Sequence, residues 1–183
     1  MKVIICPGIH DPQLTASFVA SLSQQTYKLL DYTVFPTQKF PAYSAVHLFQ
    51  WLNTQKIVKQ EVLLICFSAG VVAGIGTAFL LQLQGIKIKA LIAVDGWGVP
   101  LWANFPVYRI SHDYFTHWSS ALLGTGKSSF YCDPGVDHLT LWESPEVCQG
   151  WFLSSDQTSQ LANNVRGSAI EYLHHIIDQI IKS

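Results

Sequence analysis

Short aliphatic runs and longer amphipathic stretches alternate along this chain. Residues 2–6, KVIIC, form an apolar run closed by Pro7-Gly8, and Asp11-Pro12 then supplies an N-cap followed by proline at the first helical position. Leu14, Phe18 and Leu22 recur every four residues, which predicts a helix with one apolar face. DYTVF (31–35) reads as a second strand ended by Pro36, and Ser44 caps a helix turning Val46, Phe49 and Leu52 inward. EVLLICF (61–67) is a third strand feeding the helical pattern AGVVAGIGTAFLLQLQ. IKALIAVDG (88–96), VYRISHD (107–113) and SSFYC (128–132) read as three more strands. Ser144-Pro145-Glu146 opens a short helix, and from Arg166 a last helix sets Ile170, Leu173, Ile177 and Ile180 on one side.

Strands separated by helices call for crossover connections, and crossovers make parallel sheets. The expected fold is a three-layer α/β/α sandwich around a mostly parallel sheet of about six strands, as one domain over residues 1–183. A chain of 183 residues with 49% hydrophobic content supports a sizeable core.

From Val62 to Ile86 the chain carries no formal charge, longer than the roughly 20 apolar residues that span a bilayer. Its front is aliphatic and β-branched and its middle is Ser-Ala-Gly. A strand buried on both faces, turning sharply into a buried helix, gives the same hydropathy, so no membrane span is expected. The 11 basic and 12 acidic residues form no long block, which argues against nucleic acid. Cys6, Cys66, Cys132 and Cys148 are widely spaced, make no C-x-x-C pair and follow no signal peptide, so a reduced cytoplasmic protein is expected.

In an open α/β sheet, functional groups gather at the carboxyl ends of the strands. Here those ends carry Pro7-Gly8-Ile9-His10, Cys66-Phe67-Ser68-Ala69-Gly70, Asp95-Gly96-Trp97, His112-Asp113, and a loop running from Asp133 to His138. The stretch around Ser68 resembles the G-x-S-x-G nucleophile elbow of the α/β-hydrolase superfamily, with cysteine in place of the first glycine. The chain order serine, acid, histidine, each after a strand, is similar to that of the superfamily's small serine hydrolases, and the likeness runs from Val3 to the final helix.

This resemblance implies a minimal α/β-hydrolase fold with Ser68 as nucleophile and His138 as base. It favours Asp113, after the fifth strand, as triad acid, with Asp95, after the fourth, as the alternative. It also implies an oxyanion hole from the Ala69 and Ile9 amides. The chemistry requires such a trio, because a serine hydroxyl is a weak nucleophile until a histidine takes its proton and a carboxylate holds the imidazole in the right tautomer. The other histidines, His112 included, read as surface or core-edge residues.

Trp97, Leu101, Trp102 and Phe105, on the loop after the fourth strand, read either as an apolar substrate groove, with Phe40 and Tyr43 at its rim, or as a satellite core. Gly124-Thr-Gly126-Lys127-Ser128 is no phosphate loop, since Ala121 stands where glycine is needed. No His, Cys or carboxylate cluster has zinc-ligand spacing. Cys66 as a thiolate nucleophile is disfavoured, as it lies inside the strand. The expected activity is hydrolysis of an ester, thioester or amide of a small, apolar acyl substrate, with no cofactor and no metal. The alternative is a catalytically silent scaffold binding a hydrophobic ligand or a protein partner.

Overall fold

The computed structural model describes residues 1–24, 31–55, 61–154 and 165–183. In chain order the elements are β1 (Lys2–Cys6), α1 (Pro12–Ser23), β2 (Asp31–Val34), α2 (Ala45–Thr54), β3 (Val62–Phe67), α3 (Ala69–Leu83) and β4 (Ile88–Val94). There follow β5 (Val107–Ser111), α4 (Tyr114–Ala121), β6 (Ser128–Cys132), α5 (His138–Glu143), β7 (Gln149–Ser154), β8 (Val165–Ser168) and α6 (Ala169–Lys182). The sheet runs β2-β1-β3-β4-β5-β6-β7-β8. The first six strands in that order pair in parallel, and β7 and β8 extend the edge antiparallel.

β3 explains the sandwich. All six of its residues are buried. Leu63, Ile65 and Phe67 point into a core shared with Phe18 and Leu22 of α1, Trp142 of α5 and the apolar side of α6. Val62, Leu64 and Cys66 point the other way, towards Leu48 and Leu52 of α2 and Ala73 and Leu81 of α3. Period-two alternation on a strand covered on both faces yields this unbroken apolar run, and full burial of each large aliphatic side chain contributes about 1.5–3 kcal/mol. The uncharged stretch from Val62 to Ile86 is thus a fully buried strand plus a helix that buries one face and, contrary to expectation, leaves Val72, Phe79 and Leu83 exposed. Among the described residues no helix is long and apolar enough to cross a membrane.

Several expectations need correction. The sheet has two strands more than the roughly six that periodicity predicts. No helix starts at Ser144-Pro145-Glu146; α5 ends there instead, because a residue before proline is pushed out of the helical region, and Ser144 adopts φ −137°, ψ 62°. Arg166 lies in β8, and the last helix begins at Ala169 behind a Ser168–Glu171 capping box. On α2 Leu48 and Leu52 are buried and Phe49 packs half-buried against the same core, while Val46 is 57% exposed.

The strand order reverses at β1. The chain moves from β1 out to β2, then crosses back to place β3 on β1's other side. The helices that follow β1 and β3 therefore leave on opposite faces, opening a crevice at the carboxyl ends of these two strands. Ser68 stands there.

Candidate active site

Ser68 joins β3 directly to α3 with φ 51° and ψ −121°, a left-handed conformation that is costly for a residue with a side chain. Its amide donates to Val94 O at 2.9 Å and its carbonyl accepts from Val71 N at 3.0 Å, so the turn is held from both sides. Such a sharp turn brings backbones close together. A Cβ at Gly70 would stand 2.2 Å from Cys6 O and 2.6 Å from Pro7 O, so only glycine fits two residues after the serine. Two residues before it, Cys66 replaces the glycine of the usual motif, and the space for its sulfur comes from α3: a Cβ at Gly74 would lie 2.2 Å from Cys66 Sγ. Burial raises the Cys66 thiol's pKa well above its ordinary value, which removes it as a nucleophile.

His138 is the first residue of α5, and Trp142 one turn later shares its helix face. Both rings stack on Phe67, His138 at 4.6 Å and Trp142 at 4.9 Å between centroids, and Trp142 stacks in turn on Phe18. The imidazole is thus clamped by the residue that precedes Ser68. His138 Nδ1 lies 2.8 Å from Asp95 Oδ2. Because a carboxylate only accepts, Nδ1 carries a proton, and in the neutral ring Nε2 keeps its lone pair.

The structure sets Asp95, not Asp113, against His138. Asp95 follows β4 with φ 51° and is 5% exposed. Asp113 has other work: it is the N-cap of α4, and its Oδ1 accepts from Thr116 N at 2.7 Å. His112, which sequence reasoning placed among the surface or core-edge residues, binds the same carboxylate twice. Its amide donates to Asp95 Oδ1 at 2.8 Å, and its Nδ1 lies 3.0 Å from Asp95 Oδ2. That hydrogen bond raises the His112 imidazole's pKa above its ordinary value, against the opposing effect of burial. The one signal for this role in the sequence is the position of His112 at the carboxyl end of a strand, beside the expected acid.

Ser68, Ala69, Asp95, His112 and His138 line one cavity of about 430 Å³, whose apolar wall includes Val72, Trp97, Val99 and Phe115. No hydrogen bond joins Ser68 to His138 among the described residues. Ala69 opens α3, so its N–H has no intrahelical acceptor. The Ile9 N–H likewise donates to no acceptor among the described residues. Ile9 itself is 75% exposed and lines a neighbouring cavity with Gly8 and His10. Gly8 presses the β1–α1 loop onto the turn, since a Cβ there would stand 3.0 Å from Ser68 Cβ.

The aromatic loop divides. Trp97 reaches the Ser68 cavity and donates from Nε1 to Ser119 Oγ at 3.1 Å. Leu101 and Phe105 are buried in the core on the α2–α3 side. Trp102 is 71% exposed and borders a separate cavity. Tyr43 lies by the Ile9 cavity, while Phe40 packs on Phe35. A larger cavity, about 610 Å³, lies between α1 and β2 and touches His10 but not Ser68, Asp95 or His138.

No family model matches the chain, and no curated protein matches it either.

Proposed function

We propose that this chain is a serine hydrolase of the α/β-hydrolase type, acting on a small acyl substrate through Ser68, His138 and Asp95. The observation that carries this reading is the buried Asp95 carboxylate on His138 Nδ1, at a ring that shares one cavity with a serine in a left-handed turn. Ser68 Oγ attacks the substrate carbonyl carbon while His138 Nε2 takes the hydroxyl proton. Asp95 holds the imidazole in the Nδ1–H tautomer and stabilises the imidazolium that forms. The negative charge developing on the carbonyl oxygen faces the Ala69 amide, aided by the N-terminal end of α3, with the Ile9 amide as second donor. Collapse of the tetrahedral intermediate breaks the bond to the leaving group, which takes the proton from His138. Water then attacks the acyl-serine with His138 again as base, releasing the acid and restoring Ser68. A cavity of about 430 Å³ walled by Val72, Trp97, Val99 and Phe115 suits a small apolar acyl or aryl group.

A second reading, a silent scaffold that binds a hydrophobic ligand, draws on the lack of a hydrogen bond between Ser68 and His138. Apo triads are often loose at this contact and tighten with substrate, which favours the hydrolase. A fluorophosphonate probe separates the two. Wild type is expected to be labelled covalently and Ser68→Ala to stay unlabelled. Absence of labelling in wild type, or equal labelling of both, refutes the hydrolase reading.

A further inference from the structure

A triad needs one histidine on its carboxylate, and this site has two. Asp95, His112 and His138 each offer a donor atom, and the three atoms lie within 4.8 Å of one another. Asp95 and His112 directly follow β4 and β5, and His138 opens α5 beyond the loop after β6, so three separate segments supply the donors and no ligand spacing is visible in the sequence. We propose that this trio is a binding site for a borderline divalent ion of the zinc class, and that occupancy switches the triad off. The inhibitory half rests on the serine-hydrolase reading; the binding half does not.

The donor set selects the ion. Two imidazole nitrogens and one carboxylate oxygen, with a fourth position open to the Ser68 cavity, suit zinc, whereas calcium and magnesium call for oxygen ligands. Neighbouring groups hold two of the three side chains in place. Asp95 is anchored through Oδ1 by the His112 amide, and His112 Nε2 lies 3.8 Å from Asp113 Oδ2, so a carboxylate backs the ring on its far side. Along the two carboxylate–imidazole edges the adjustment needed is small, and the two imidazole nitrogens start within 4.8 Å of each other. The Nδ1 to Oδ2 separations are 2.8 and 3.0 Å. Tetrahedral zinc with bonds of about 2.0–2.1 Å spaces its ligand atoms about 3.3–3.4 Å apart, an opening of roughly half an ångström.

Inhibition follows from the tautomer. A neutral imidazole has one N–H, and an ion on Nδ1 moves that proton to Nε2 with no net proton released. His138 Nε2 then carries a hydrogen and has no lone pair to accept the Ser68 proton. His112 Nε2–H, by the same shift, faces Asp113. The ion disables the base without touching the serine.

Zinc chloride titrated calorimetrically into the full chain tests binding, and fluorophosphonate labelling with and without equimolar zinc tests its effect. Wild type is expected to bind one zinc ion and to lose at least 90% of its labelling rate, with chelator restoring it, while magnesium does neither. His112→Ala is expected to weaken zinc at least tenfold, and His175→Ala, on the terminal helix, to leave it unchanged. If His112→Ala does not fold, as read by thermal unfolding, His112→Gln takes its place, and cobalt in wild type reads tetrahedral coordination through its visible absorption. No one-to-one binding, or loss of binding with His175→Ala instead of the His112 variant, overturns the site. Binding that leaves labelling intact, or zinc that accelerates it, overturns the inhibitory role. A chain that is never labelled refutes the hydrolase reading, and calorimetry still decides the zinc site.

Discussion

Asp95 and Asp113 differ in what their carboxylates already do. Asp95 is buried and accepts from two imidazoles and one amide, whereas Asp113 closes the first turn of α4 through Thr116 N. Replacing each by its amide therefore has different consequences. Asp95→Asn keeps the shape but favours the wrong His138 tautomer, and the expected loss in kcat is about 10⁴-fold. Asp113→Asn retains a capping oxygen and leaves turnover within about tenfold, while Asp113→Ala costs about 1 kcal/mol of stability through the lost cap. Steady-state kinetics on an activated ester, with urea unfolding alongside, measure both effects. A larger catalytic loss at Asp113 than at Asp95 would return the acid's role to Asp113.

At the scale of elements, the β3–α3 turn depends on a contact that a motif search does not contain. Cys66 stands where the motif that this stretch resembles has glycine, and Gly74, in the second turn of α3, supplies the room for its sulfur. Gly74→Ala is expected to destabilise the fold by about 1–3 kcal/mol through overpacking, even though alanine favours helix. Cys66→Gly in the same chain is expected to recover a large part of that loss, so a double-mutant cycle by urea unfolding gives strong coupling. Additive effects would refute the compensation. Elements with a regular apolar period were legible in the sequence: β1, β3 and β4 as aliphatic runs, and α6 through Ile170, Leu173, Ile177 and Ile180, all buried. Elements without one were not. α4 turns Thr116 and Ser120 inward and leaves Tyr114, Phe115 and Trp118 exposed, because the buried Arg109 guanidinium needs oxygen acceptors beneath that helix. β8 is Val-Arg-Gly-Ser, too short and polar to carry a pattern. The site inherits the same limit. That Ser68 and His138 come to one cavity was legible from residue type and chain order, but which carboxylate meets His138 was not, because Asp113 is a helix cap and that helix was hidden by its inverted polarity.

At the scale of the whole molecule, the described residues bury two formally charged side chains, Asp95 among N–H donors and Arg109 among neutral oxygens. Arg109 is 3% exposed, and its guanidinium donates to His117 O at 2.6 Å and to Ser120 Oγ. No ion pair joins it to a carboxylate among the described residues. A second cation beside it is therefore unwelcome. His117 packs between Tyr114 of α4 and Tyr131 of β6, its buried Nδ1 without a hydrogen-bond partner among the described residues, and burial together with Arg109 lowers its pKa from 6.5 to about 4. The sign of the linkage is fixed by this depression. Above pH 6.5 both folded and unfolded chains hold a neutral ring, and the group adds no slope. Between 6.5 and about 4 the unfolded chain binds the proton that the folded chain refuses, so stability falls as the pH falls. His117→Phe keeps an aromatic ring beside Tyr131 and removes the titration. Urea midpoints measured from pH 7 to pH 4.5 are expected to fall more steeply for wild type than for His117→Phe, whatever other groups add to both curves. Parallel profiles would mean that the His117 ring accepts its proton in the folded state, and that the layer between β5, β6 and α4 tolerates a second positive charge.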